Sequence, residues 1–473
     1  MASLYQHLAT QARQFPERAA LDDGTSCISF GDLPELIDSY RSCLLAAGVT
    51  PDSTVGLTIR HGIAHLLVTL ALFRLPAHQA TLASFEPESY HHNLIERLNI
   101  SHLLTIDETL NPTAPRPDQF HVRKLEPTRP ANSSGSAKFY SSTSGTTKGP
   151  RIIALVEENL TTRGDRQRML AERVLITSSP EHGTIKRRHL RFLYAGCTLL
   201  FAPKANAWNA LADFVSAKKA TLLYISPLDA NRFVQSAGDH RQVNARLFVG
   251  GTRISWSLRK AMQQKLSRAL YVAYGASECG QLAVAEPHEH DERETAGKPR
   301  SPITVEIADG AGRALPPGEV GELRVRAPGM ITGYHDDPVE TGLRFRGGWF
   351  HPGDMGLMTK DGELIIHGRK DDMMMMNGIN IYPLELERVL EGHPAVSAAA
   401  AFPVKSRLHG DIPAVAVELA AGANATEISL MQYARERLGL RYPRRILILD
   451  KLPKSGDGKI LKNEIVSVIK QGV

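Results

Sequence analysis

A run of hydroxyls and glycines is the first feature of this chain with a chemistry of its own. Ser141 to Pro150 reads Ser-Ser-Thr-Ser-Gly-Thr-Thr-Lys-Gly-Pro. Glycine lets backbone N–H groups crowd around a ligand, and serine and threonine add hydroxyl donors, so such a loop can wrap the oxygens of a phosphate. A flexible linker has the same composition, and composition alone leaves both readings open. A Walker A loop is excluded, because Lys148 is followed by Gly149 and Pro150 rather than by serine or threonine.

Four further groups carry chemistry. The aromatic and β-branched stretch Leu270 to Tyr274 reads as a strand, and Gly275, Ala276, Ser277 and Glu278 follow at its end, where α/β sheets bind ligands. A carboxylate beside a phosphate loop is a natural magnesium ligand, since Mg²⁺ takes one or two carboxylates plus phosphate oxygens. Alone, Glu278 would read as a solvated surface residue. Asp354 sits in the glycine turn Gly-Gly-Trp-Phe-His-Pro-Gly-Asp-Met-Gly, where it can accept from two vicinal ribose hydroxyls or close an Asx turn. Arg369 opens Gly-Arg-Lys-Asp-Asp, and Lys459 stands in a glycine-flanked turn near the C-terminal end. Met373 to Gly378 reads Met-Met-Met-Met-Asn-Gly: the methionines read as core-filling strand residues, and Gly378 as a place where another group could approach the backbone.

The elements that must position these groups alternate in type. Leu4, Leu8, Ala12 and Phe15 recur at helical spacing, and two short strands follow about an Asp-Gly turn. Leu33, Leu36, Ile37, Tyr40 and Leu44 mark a second helix, and Val55, Leu57 and Ile59 alternate as a strand. This trading of helix and strand argues for a layered α/β body with a largely parallel sheet. Residues 107 to 136 turn polar and proline-bearing and read as a surface connection. After Thr295 short strands and glycine turns predict a β-rich unit, and past Gly-Arg-Lys-Asp-Asp a helix opening at Pro383 begins a small α+β domain.

Composition narrows the class. The chain has 473 residues, 42% hydrophobic and 22% charged, enough for two to four domains with sizeable cores. The apolar run His65 to Phe73 is too short to span a bilayer, and the first residues lack the apolar core of a secretory signal, so a cytoplasmic location is expected. Four cysteines lie far apart, without zinc or redox spacing. The net charge of +6 is scattered among 50 acids rather than gathered into a basic run, which points away from nucleic acid and suits a mildly basic enzyme with an anionic substrate.

Taken in order, these pieces resemble the adenylate-forming superfamily of acyl- and aryl-CoA ligases, adenylation domains and beetle luciferases. The resemblance covers nearly the whole chain, from Phe30 to Lys459. It implies a large N-terminal domain of layered α/β subdomains over residues 1–368, with a small β-barrel-like subdomain at about 295–367, a hinge at 369–372, and a small mobile α+β C-terminal domain over 373–473. It implies that Thr143, Ser144, Gly145, Thr146 and Thr147, with Lys148, hold the ATP phosphates. Tyr274 would stack on adenine beside Gly275, Ser277 would touch the adenylate phosphate, and Glu278 would hold magnesium. Asp354 and Arg369 would bind ribose, Asp371 would be the hinge, and Lys459 would reach the substrate carboxylate and the α-phosphate. Gly378 would lie near the incoming thiol.

The helix region after Ser179 resembles the family's pocket helix, which puts His182 at an aromatic gate and Gly183 where amino-acid-activating domains carry an aspartate, with Glu181 close by. Gly250, Gly251 and Ala276 would complete the pocket. One departure is plain: Lys148, Gly149, Pro150, Arg151 and Ile152 stand where the family usually has Gly-x-Pro-Lys-Gly, so the loop cation is Arg151 or is displaced onto Lys148. The implied reaction uses ATP, Mg²⁺ and a carboxylic acid, and passes the acyl group to CoA or to the phosphopantetheine of an acidic carrier protein. A non-catalytic nucleotide- or acyl-binding member of the fold is the alternative from another class.

Overall fold

The structure, a computed structural model, describes residues 3–107, 109–126, 136–143, 150–161, 171–203, 207–238, 241–406, 408–453, 460–462 and 464–465. Two twisted sheets with parallel cores form the body. In the nine-stranded sheet, Leu270–Ala276, Arg246–Gly250, Leu222–Ile225, Arg173–Ile176, Thr198–Leu200 and Ala19–Asp22 run parallel in that spatial order. Antiparallel strands close both ends. In the six-stranded sheet, His102–Ile106, Thr54–Leu57, His78–Thr81 and Phe139–Thr143 are the parallel centre.

Two helices connect the sheets. Gly62–Arg74 is apolar all round and buried along its length, as a helix enclosed on every side must be. Gly183–Tyr194 packs on Phe139–Thr143 of one sheet and on Thr198–Leu200 of the other. Its two faces therefore meet different environments, a point on which the site depends.

Beyond residue 297 a six-stranded antiparallel sheet contains Asp354–Met358 paired with Leu364–Arg369. A last five-stranded sheet, built on Val396–Ser406 and Gly410–Leu419, packs against helices Pro383–Glu391 and Glu427–Leu438. The mixed α/β architecture with a large first part and a smaller last part is the one the sequence predicts.

Two local expectations need correction. Residues 107 to 136 are not solely a connection: Phe120–Lys124 forms an edge strand antiparallel to His102–Ile106. The four methionines do not all fill the core either. Met374 and Met376 are buried while Met375 is 52% exposed, because successive strand side chains point to opposite faces. Asn377 and Gly378, with φ of 51° and 79°, make the turn between Met374–Met376 and Ile379–Ile381, the left-handed pair that a two-residue hairpin requires.

Candidate active site

The strand Leu270–Ala276 bulges at Gly275 and turns back into Gly280–Ala285. A Cβ on Gly275 would stand 2.4 Å from the Gly280 carbonyl oxygen, so only glycine permits this tight return. The turn carries Ser277 and Glu278. Arg187 pins it by donating to the Ser277 carbonyl at 2.9 Å and to the Gly329 carbonyl at 3.2 Å.

Three of the expected nucleotide residues meet at the end of this strand. The Tyr274 hydroxyl donates to Asp354 Oδ2 at 2.5 Å, and Arg369 donates to Asp354 Oδ1 at 3.2 Å. Asp354 and Arg369 are facing partners in adjacent strands, so backbone register alone delivers the pair. Burial and the adjoining Asp354 carboxylate push the Tyr274 pKa well above its ordinary value, which keeps the phenol a donor.

Glu278 is buried and one carboxylate oxygen accepts from the Tyr334 hydroxyl at 2.7 Å. The other oxygen has no hydrogen-bond partner among the described residues. No group of three or more His, Cys, Asp or Glu side chains that could hold a metal occurs among the described residues. The carboxylate oxygen of Glu278 left without a partner is the kind of donor that magnesium takes together with phosphate oxygens. Tyr334 escaped sequence reasoning because it lies 56 residues from its partner.

The pocket helix starts at His182, whose exposed ring stacks on Phe85 with centroids 4.4 Å apart. A Cβ on Gly183 would lie 1.8 Å from Ser141 Oγ, so this position admits no aspartate while the helix packs on its strand. The buried Glu181 carboxylate accepts from Ser84 N at 2.8 Å and Ser84 Oγ at 3.1 Å, which commits it to holding the loop of Ser84. A Cβ on Gly250 would stand 2.4 Å from the Ala273 carbonyl, whereas Gly251 at φ 110° has open space. Ala276 ends the strand beside them.

Arg151 is not a free loop cation. Its guanidinium pairs with Glu340 at 2.6 Å, and Glu340 also accepts from Arg344 at 2.9 Å. Arg344 in turn reaches Asp371 at 3.3 Å. Asp371 is 60% exposed and also lies 3.7 Å from Arg369, so the expected hinge and the expected ribose arginine are neighbours. The expected phosphate-loop residues Ser144, Gly145, Thr146, Thr147 and Lys148, the side chain of Thr143, and Lys459 lie outside the described residues. Among the described residues no helix is long and apolar enough to cross a membrane.

A strand-end turn bearing a buried carboxylate, beside a Tyr-Asp-Arg constellation, on a large α/β body with a small trailing domain defines an adenylate-forming protein. The chain belongs to the AMP-binding enzyme family, whose main domain matches residues 8–335 and whose C-terminal domain matches residues 385–459. Among curated relatives, the 2-succinylbenzoate–CoA ligase of Geobacillus kaustophilus is 32% identical over 57% of this chain and 54% of its own length. A long-chain-fatty-acid–CoA ligase of Escherichia coli O6:H1 is 33% identical over 46% of this chain and 39% of its own, so these matches span about half or less of those relatives. A probable CoA ligase of Humulus lupulus is 26% identical over 96% of this chain and 94% of its own. In fold, the chain is similar to o-succinylbenzoate CoA synthetase of Bacillus subtilis, at 21% identity, TM-score 0.81 and 98% coverage of both chains. It is also similar to ATP-bound MatB of Rhodopseudomonas palustris, at 20% identity, TM-score 0.83 and 99% coverage of both.

Proposed function

We propose that this chain activates a carboxylic acid with ATP and passes the acyl group to the thiol of CoA. The observation that carries the reading is the meeting of Tyr274, Asp354 and Arg369 at the end of the central strand, next to Glu278 with one carboxylate oxygen left over. In the first half-reaction a carboxylate oxygen attacks the α-phosphorus and the bond to pyrophosphate breaks. In the second, a thiolate sulfur attacks the acyl carbon and AMP leaves.

Asp354 and Arg369 would hold the ribose, and the Tyr274 ring would carry the adenine. Glu278 would hold magnesium, which when bound neutralises charge on the reacting phosphates. The attack of one anion on another needs such neutralisation more than it needs proton transfer. The glycine and hydroxyl loop from Thr143 to Lys148 would cradle pyrophosphate, and Lys459 would bridge the acid and the α-phosphate. Asp371 would be the hinge and Gly378 the approach of the thiol arm. The names of the relatives, CoA ligases of aromatic and fatty acids, support CoA as acceptor.

Acid-dependent exchange of labelled pyrophosphate into ATP tests the first step. A chain that exchanges no label with any aryl, fatty or dicarboxylic acid would be a non-catalytic member of the family. Supplying the second step with CoA or with a phosphopantetheinylated carrier protein, and following which thiol is acylated, decides between the two acceptors.

A further inference from the structure

The nine-stranded sheet has two unlike faces. Leu223, Leu247, Val249 and Val272 pack into one aliphatic cluster, while Tyr224, Phe248 and Tyr271 face the opposite way toward the helix Gly183–Tyr194. These three rings sit in register across adjacent strands and stack at 4.8 and 4.6 Å. Two residues further along each strand, toward the end where Ser277 lies, the same face carries only Ser226, Gly250 and Ala273. Side-chain bulk stops abruptly there. The sheet thus offers an aromatic floor and a wall of small residues opposite the first turns of the helix.

Arg188 lies over that floor. Its guanidinium carbon is 4.4 Å from the centre of the Tyr224 ring, and Phe192, one turn on, meets the same ring at 5.7 Å. The other cations that act on Tyr224 include Arg246, which pairs with Glu172 at 2.5 Å, and Arg300, which stands 3.6 Å from Glu286. Arg187, next in sequence, spends its donors on two carbonyls of the site. Arg188 has neither a hydrogen-bond acceptor nor an ion partner among the described residues. Burial draws its pKa below the ordinary arginine value, and no carboxylate acts on it to offset that. A half-buried guanidinium without a counter-charge keeps donors that an incoming anion would take up.

We infer that Arg188 determines specificity by receiving a second carboxylate, so that the acid activated by this chain is a dicarboxylic acid with an apolar or aromatic body. This rests on the acid-activating reading above. Guanidinium and carboxylate fit as two parallel N–H···O bonds, a geometry that lysine does not reproduce. The body of the acid lies along the Tyr224, Phe248 and Tyr271 rings, with its reacting carboxylate toward Ser277. The ammonium of an α-amino acid would meet the wrong charge here, and Glu181, the nearest acid on the helix approach, is already held by Ser84.

Acids differing only by the second carboxylate test the assignment: benzoic against phthalic acid, and hexanoic against adipic acid. Calorimetric binding to the whole chain with ATP present, and pyrophosphate exchange, are measured for the wild type, Arg188→Met and Arg188→Lys. The wild type is expected to favour at least one diacid over its monoacid by about a hundredfold, because a site built for a polar group rejects the analogue that lacks it. Arg188→Met abolishes that preference while leaving monoacid binding within about threefold, and Arg188→Lys restores only part of it. A wild type that binds no diacid, or a variant that weakens both members of a pair equally, overturns the assignment. So does a variant whose only change is a raised KM for ATP or CoA, since that would give Arg188 to a phosphate. Calorimetry separates this from the reading beneath it: diacid binding that depends on Arg188 without any exchange leaves the assignment standing and removes the enzymatic activity.

Discussion

Two clusters of buried charge in this molecule are built in opposite ways. At the junction of the large body with the helix Pro383–Glu391, Glu294 is 3% exposed in its side chain and accepts from Arg253 at 2.6 and 2.7 Å, from Arg388 at 2.9 Å and from the Trp256 amide at 2.9 Å. Arg253 also lies 2.7 Å from Glu391. Beneath the pocket helix, by contrast, Lys186, His65 and His189 are buried with Lys186 Nζ and both His Nε2 atoms unpartnered. The first cluster keeps its charges. Burial pushes the Glu294 carboxyl up, but Arg253 and Arg388 outweigh it and hold its pKa below the ordinary value. The second gives its charges up, as burial draws Lys186 down to about 7 and His189 down to about 4.

Each kind of cluster suits a different task. A paired cluster loses heavily when one member is removed, so it fixes the relative placement of the elements that contribute to it. Here those elements are the turn after Gly250, the residue Glu294 at a φ of 54°, and the helix of the small domain. An unpaired cluster is stable only when neutral, and its neighbours are the Phe139 ring, 4.6 Å from Lys186 Nζ, and the Phe201 ring stacked on His189 at 5.4 Å.

Removing the centre of the paired cluster should have the largest effect. Glu294→Ala removes the acceptor that two arginines share, leaving Arg253 with Glu391 and Arg388 with the Ile366 carbonyl, and is expected to cost about 3–5 kcal/mol in denaturant unfolding. Faster proteolysis near residue 370 should accompany it, as the helix Pro383–Glu391 loses its anchor. A cost below about 1 kcal/mol would show that the cluster is solvated and holds no element in place.

Lys186→Met should move stability the other way. A lysine whose pKa falls from 10.5 to about 7 on folding is disfavoured by the folded state as long as the unfolded chain can carry the proton. Methionine keeps the length and drops the charge, so a gain of about 4 kcal/mol at pH 7 is expected. Between pH 7 and 10 the unfolded wild type binds the proton that the folded form has lost, so wild-type stability rises across that window. The variant should lack that rise, and a parallel pH course in both proteins would return Lys186 to the charged state.

His189 sharpens the acid side of the same cluster. Its pKa falls from 6.5 to about 4 on folding, so the unfolded state gains a proton first as pH drops, and stability is lost from pH 6.5 down to 4. The share of His189 is about 2 kcal/mol between pH 6.5 and 5. Burial lowers His65 in the same direction, so His189→Leu should make this limb shallower without abolishing it. Identical melting temperatures at pH 5 and 6.5 in the wild type would contradict the buried neutral imidazole.

The same contrast explains what the sequence made legible. The strand-end turn at Gly275 to Glu278 and the layered α/β body follow from local spacing, because neighbours in sequence build them, whereas the Asp354 and Arg369 pair comes from the resemblance and is built by adjacent strands. Arg253 follows the pocket glycines Gly250 and Gly251 in sequence, yet its side chain pairs with Glu294 and Glu391, which lie 41 and 138 residues away. The sequence leaves the loop cation between Arg151 and Lys148, and gives no sign that Arg151 pairs with the distant Glu340. No local pattern marks an ion pair between distant elements. Phe120–Lys124 was hidden for another reason: it is an edge strand with a mostly exposed face, so its apolar alternation is weak. Lys186 and His189 lie at i and i+3 on the pocket helix, and that spacing gives their shared face without revealing that the face is closed to water.

The smallest effect on stability should come from Asp371, whose side chain is 60% exposed although two arginines approach it at 3.3 and 3.7 Å. A pair open to water gains little, so Asp371→Asn is expected to change unfolding by no more than about 0.5 kcal/mol. A loss approaching that of Glu294→Ala would mean that Asp371 anchors the small domain as firmly as the buried junction does. Asp371→Pro separates anchoring from rotation. Proline fixes φ near roughly −65° and removes a donor, and a hinge concentrates its backbone change in a few residues at the ends of elements. With Asp371 as the hinge between the two half-reactions, the proline variant should keep pyrophosphate exchange within about tenfold of wild type, a barrier change of roughly 1.4 kcal/mol, while thioester formation falls much further. The asparagine variant, free to rotate, should slow neither step selectively. Equal slowing of both steps by proline would place the rotation elsewhere in the chain, and would leave the ion pairs of Arg344 and Arg369 with Asp371 as a solvated surface contact.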